Sequence, residues 1–147
     1  MKSQLFSLLL LGSFSLPLLA QNADPFTVYK NPQCGCCSKW IDHLRDDGFS
    51  ASGENRDDMP TLKAELKVPA NLQSCHTGVQ GNFVFEGHIP SAVVRRFLDN
   101  PPEGAYGLAV PGMPIGSPGM EMGPRRDRYD VIVLMHDGNH QVYTTIN

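Results

Sequence analysis

The sequence predicts a mixed α/β fold in the order β, α, β, α, β, α, followed by a long Pro/Gly-rich loop and a C-terminal β-hairpin. Three observations point to it. Short runs of strand-forming residues alternate with segments whose apolar positions recur every three or four residues. Residues Asn100 to Arg128 concentrate Pro and Gly, and two strand-like runs near the C-terminus are separated by Asp137-Gly138, a strong hairpin signal.

After Asp24 and Pro25, "FTVYK" reads as a short buried strand and "NPQCG" as the turn that ends it. A helix follows from Cys37, with Trp40, Ile41 and Leu44 on one face and Gly48 as its stop. "FSASGEN" makes a weak second strand. "DDMPTLKAELKV" opens with acidic residues and a proline, both favoured in a first helical turn, and runs helical to Pro69. "PANLQSCHTG" is expected to be a loop that carries Cys75 and His76. "NFVFEG" is the third strand, and "HIPSAVVRRFLDN" the third helix, with Val93, Val94, Phe97 and Leu98 on its apolar face and Pro101 and Pro102 beyond its end. From Asn100 to Arg128 the composition is expected to forbid helix and most strand. Structureless loops of that length are uncommon in compact domains unless they serve a function. "YDVIVLM" and "HQVYTTI" complete the hairpin.

The N-terminal "MKSQLFSLLLLGSFSLPLLAQ" has one Lys, an apolar run from Leu5 to Leu19 and Ala20 ahead of a polar segment, the layout of a cleavable secretory signal over residues 1–20. The run is shorter than the roughly 20 residues of a membrane span and is broken by Gly12, Ser13, Ser15 and Pro17, which disfavours a retained anchor. What remains, residues 24–147, suits a single domain with its own core. Loss of Lys2 takes the formal charge from −3 to −4, and the basic residues form no cluster beyond "PRRDR". Neither nucleic acid nor an anionic membrane surface is therefore an expected partner.

"NPQCGCCSKW" places three of the four cysteines in four positions. Outside the cytosol a bare thiol tends towards a disulfide unless a metal or redox partner claims it. Cys34 and Cys37 stand in C-x-x-C register at a strand-to-helix turn, a thioredoxin-like placement in which free backbone N–H groups and the helix dipole stabilise a thiolate at Cys34. A pure dithiol enzyme has no use for the third sulfur, Cys36. A soft monovalent ion does: thiolates bind Cu(I) strongly, and Cys34, Cys36 and Cys37 with Cys75 from a facing loop could hold more than one such ion. Structural zinc prefers better-separated pairs of ligands and would strain to use all three clustered cysteines. A disulfide from Cys34 or Cys37 to Cys75 is the competing account of the fourth cysteine.

Met113, Met120 and Met122 lie in the Pro/Gly loop as "PGMPIG" and "PGMEMG", where helical packing cannot explain their spacing. Thioether sulfur suits Cu(I), so the three are candidate ligands; covering apolar surface is the equally open alternative. A single histidine beside a cysteine is weak grounds for a ligand, so His76 is read as an ordinary side chain, as are His43, His88, His136 and His140.

Taken together, "VYKNPQCGCCSKW", "CHTG", "EGHIP" and "GLAVPGMPIGSPGMEMG" resemble the CopG-like family of exported bacterial metal-binding proteins, a domain of unknown function found with copper-resistance systems. The resemblance spans nearly the whole chain after the signal. It implies a thioredoxin-like fold, a periplasmic location and a role in copper handling, with Cys34, Cys36, Cys37 and Cys75 matching the family's cysteines.

The expected function is thus a periplasmic protein that holds more than one Cu(I) on its cysteines and contributes to copper resistance, with copper or thiol redox chemistry as a further possibility to test. Other periplasmic copper-handling or redox proteins are the expected partners, and no membrane contact is expected once the signal is gone. The alternative is a thiol-disulfide oxidoreductase in which Cys34 attacks and Cys37 resolves. Hydrolysis has no support, because no acid-base pair or nucleophile triad is apparent.

Overall fold

A computed structural model describes residues 24–147; the secretory signal expected over residues 1–20 lies outside the described residues. The elements are β1 (Phe26–Lys30), α1 (Gly35–Asp46), β2 (Ala51–Asn55), α2 (Met59–Glu65), a short 3-10 turn (Ala70–Leu72), β3 (His76–Gln80), β4 (Phe83–Glu86), α3 (Ser91–Asp99), β5 (Ala105–Ala109), β6 (Tyr129–Met135) and β7 (His140–Ile146). All seven strands join one mixed sheet in the order β2-β1-β3-β4-β5-β6-β7. Among the described residues no helix is long and apolar enough to cross a membrane.

β1 pairs in parallel with β2 and antiparallel with β3, which puts α1 in the crossover between β1 and β2. β4 pairs in parallel with β5, with α3 as that crossover. Trp40 and Leu44 of α1 are fully buried and meet Phe26 of β1, Phe85 of β4 and Phe97 of α3 in one apolar core. The Trp40 indole also donates to the Ile89 carbonyl at 2.8 Å, which ties the first helix to the segment after β4.

Two strands lie where the sequence suggests none. The segment read as a loop around Cys75 and His76 becomes β3 from His76 onward, with His76 and Thr77 fully buried. Its Gly78 is required by packing, because a Cβ there would come within 2.4 Å of the Phe26 ring. Gly81 then takes φ +56 in a two-residue turn to β4, a Gly-Asn hairpin signal hidden in a polar-looking stretch.

The second departure is β5, inside the Pro/Gly stretch. It is buried along its whole length between β4 and β6. A Cβ at Gly107 would sit 2.0 Å from the Val84 carbonyl oxygen, so glycine here permits close strand approach and does not mark a turn. The irregular segment therefore begins only after Ala109.

Candidate metal centre

The first three cysteines are placed by the end of β1 and the start of α1. Asn31 makes the turn: its side-chain oxygen accepts from the Gln33 N–H at 2.9 Å, and its carbonyl from the Cys34 N–H at 3.0 Å. Cys34 is then the N-cap of α1, and no side chain caps the first turn or places an acid in it. The free N–H groups leave a positive end facing the sulfurs, which favours thiolate. Cys34 and Cys37 are joined as a disulfide, and Cys36 and Cys75 are free.

Cys75 arrives from the segment just before β3. Its position rests on a buried polar group: the Ser74 N–H donates to Glu86 Oε1 at 2.6 Å, Thr77 Oγ1 donates to Glu86 Oε2 at 2.6 Å, and Lys63 Nζ donates to Thr77 Oγ1 at 2.9 Å and to Glu86 Oε1. Both members of the Lys63–Glu86 ion pair are buried. As a result the Cys75 sulfur lies 3.5 Å from that of Cys37, while Cys34 and Cys36 are 3.5 Å apart. All four sulfurs fall within 4.8 Å of one another. The structure thus brings together the four cysteines singled out from sequence, with the Cys34–Cys37 bond in place of one to Cys75.

A second group shares Cys75. His76 Nδ1 is 3.3 Å and His88 Nε2 is 3.1 Å from the Cys75 sulfur, and both rings are buried. His76 packs against Trp40 with ring centroids 4.4 Å apart. Burial, reinforced by the neighbouring His88 and Lys63, holds the His76 pKa well below the ordinary imidazole value; burial also lowers that of His88. Neutral imidazoles are the ligand form. Burial, with the nearby Cys36, pushes the Cys75 thiol up to about 12, so without a metal it keeps its proton. Reading His76 and His88 as ordinary side chains missed this convergence. The available signals were the adjacent Cys75-His76 pair and "EGHIP", which sets His88 directly after Gly87, the residue that follows β4. The other three histidines lie elsewhere: His43 accepts from the Ser91 N–H, His136 stacks on Tyr106, and His140 begins β7.

The Pro/Gly segment folds onto this cluster. The Ser74 hydroxyl donates to the Gly112 carbonyl, the Gly112 N–H to the Gln73 carbonyl at 3.3 Å, and His88 Nδ1 to the Pro118 carbonyl at 2.8 Å. Gly119 has φ +87, and a Cβ on it would lie 2.8 Å from the Cys36 carbonyl oxygen, so only glycine lets the loop rest on the first turn of α1. Met120 beside it is half-buried, whereas Met113 and Met122 are 52% and 64% exposed. Met113 and Met122 therefore cover little apolar surface.

A family described as a protein of unknown function, DUF411, matches residues 72–120, which include Cys75, His88 and the start of the methionine loop. Two solved structures are similar over most of the chain. One, described as copper resistance protein copG, form 2, has 39% identity and a TM-score of 0.80 over 85% of this chain and 99% of its own. The other, form 1 of a protein so described, has 40% identity and a TM-score of 0.79 over 84% and 98%. No curated protein matches.

Proposed function

The chain belongs to the family of the copper resistance protein CopG, and from that membership we propose that it is a periplasmic copper-binding protein that holds more than one Cu(I) on Cys34, Cys36, Cys37 and Cys75 and contributes to copper resistance. What carries the reading is the convergence of four cysteine sulfurs within 4.8 Å from two separate segments. Four thiolates so close repel one another strongly unless cations lie between them, and soft sulfur selects Cu(I) among the available ions. Met113, Met120 and Met122 are proposed to close over the ions from the loop, and Met120 is the best shielded of the three.

The sheet order β2-β1-β3-β4, with α1 leaving a C-x-x-C turn at the end of β1, supports a thioredoxin-like reading. Such a fold suits thiol redox chemistry. Opening the Cys34–Cys37 bond consumes two electrons and two protons from a dithiol-class reductant and frees both thiols for copper. Closing it releases two electrons and two protons, which matches the reduction of two Cu(II) ions to Cu(I).

The second reading, a thiol-disulfide oxidoreductase acting on proteins, is favoured by one observation: Cys34 is partly exposed and Cys37 fully buried, the arrangement of an attacking and a resolving sulfur. Copper content and free thiols of protein purified without air separate the two. Copper binding predicts a copper content that falls on mutation of any of the four cysteines; metal-free protein that reduces a model disulfide at full rate supports the second.

A further inference from the structure

We propose that His43 is an acid-sensitive latch: neutral, it holds the start of α3 against α1, and protonated, it releases residues 87–91 and loosens the Pro/Gly loop seated on them. The latch itself stands on geometry alone. Its effect on bound copper rests on the copper-binding reading above.

A backbone N–H can only donate, so the 3.0 Å contact with the Ser91 N–H makes His43 Nε2 the acceptor and puts the ring proton on Nδ1. Ser91 is the first residue of α3 and is buried. The residue in the cap position, Pro90, has no side-chain oxygen with which to satisfy the first turn. That service comes instead from a side chain of another helix. One turn earlier on α1, Trp40 Nε1 donates to the Ile89 carbonyl at 2.8 Å, so α1 grips the chain on both sides of Pro90. The indole contact is indifferent to pH; the imidazole contact is not.

A proton on Nε2 takes up the lone pair that Ser91 uses, so the imidazolium and this hydrogen bond exclude each other. The cation would also stand at the positive end of the α3 dipole. Asp46 and Asp47 at the end of α1 and Glu121 of the loop face the ring and favour the cation, yet burial outweighs them and holds the His43 pKa below 6.5. Lys39, one turn back on α1, and Arg95 of α3 add no acid, and Arg95 is paired with Asp47. The latch is therefore shut at neutral pH, and its contribution to stability is lost as the pH falls below 6.5. The freed segment carries contacts on which the loop depends: the Gly87 N–H donates to the His76 carbonyl at 3.1 Å, and His88 Nδ1 to the Pro118 carbonyl at 2.8 Å.

The test follows the His43 ring and the Ser91 amide by NMR in metal-free protein from pH 7.5 to 4.5, with hydrogen exchange at the same amide. The two resonances should move with one midpoint, and protection of the Ser91 amide should fall by about fivefold beyond the intrinsic effect of pH. His43→Gln, whose amide oxygen accepts at every pH, should abolish the step, while His88→Gln should keep it. The latch is overturned if the Ser91 amide stays fixed and protected while His43 titrates, a comparison that needs no variant, or if the step survives in His43→Gln. In copper-loaded protein, transfer of Cu(I) to a chelator should speed up on acidification more in the wild type than in His43→Gln. Equal acceleration in the two would overturn the coupling to the loop. A protein that binds no Cu(I) strikes the copper-binding reading and leaves the NMR result to decide the latch.

Discussion

The sulfurs of Cys37 and Cys75 lie 3.5 Å apart across 38 residues of sequence, one fixed by the first turn of α1 and the other by the approach to β3. That relationship makes a single cluster out of two segments. It also makes the Cys75 segment as important to the site as the cysteine-rich turn.

Cys36 distinguishes copper binding from disulfide exchange, because it is the one sulfur of the turn outside the Cys34–Cys37 bond. Cys36→Ser is expected to lower the Cu(I) capacity of the reduced protein by at least one ion. Metal-free reduction of a model disulfide should change less than about twofold, since neither the attacking nor the resolving sulfur is touched. Unchanged copper capacity would remove Cys36 from the cluster.

Glu86→Gln tests how Cys75 is held. Removing the carboxylate strands the Lys63 charge in the core and loosens the Ser74 N–H, at a cost of about 3–5 kcal/mol. Replacing the pair together with Lys63→Met and Glu86→Leu should recover much of that stability in a denaturant titration. Copper affinity should stay lowered in the double variant, because the tie to Ser74 is still missing. A double variant with parental affinity would show that the pair serves stability alone.

The buried imidazoles make the metal-free protein sensitive to acid. Burial holds His76 well below its ordinary value of 6.5 and lowers His88, so below about pH 6.5 the unfolded chain takes up protons that the folded chain refuses. Stability should therefore fall as the pH drops from 7.5 to 5, and His76→Gln should flatten the profile of Tm against pH. A wild-type profile that is flat between pH 7.5 and 5 would contradict the burial of neutral rings.

The loop methionines are addressed by replacing Met113, Met120 and Met122 together with Leu, which keeps most of the apolar volume and deletes the sulfur. Bound Cu(I) should then oxidise faster in air and its affinity should fall, with little change in the Tm of the apo protein. Parental copper affinity and air resistance in the triple variant would leave the cysteines without methionine help.

Much of the architecture is legible in the sequence because it follows local rules. α1 shows its Trp40, Ile41 and Leu44 face, α3 its Val93, Val94 and Phe97 face, and the C-terminal runs their strand residues. β3 and β5 are not legible, for one physical reason: their glycines are set by what packs against them, Phe26 over Gly78 and Val84 beside Gly107, and such contacts between distant segments leave no local pattern. The same holds at the site. The thiol cluster could be read from four cysteines and their spacing, whereas His88 acquires its meaning only when Pro118, 30 residues later, fixes its tautomer. The approach of both imidazole rings to Cys75 is a product of the fold.

The central claim is that the four-cysteine cluster holds several ions at once, and its most direct test is an anaerobic Cu(I) titration of the fully reduced protein against a competing chelator. The account predicts an endpoint of at least two tightly held ions per chain, falling in each of the Cys34→Ser, Cys36→Ser, Cys37→Ser and Cys75→Ser variants. An endpoint at one ion, unchanged in Cys36→Ser and Cys75→Ser, would contradict it.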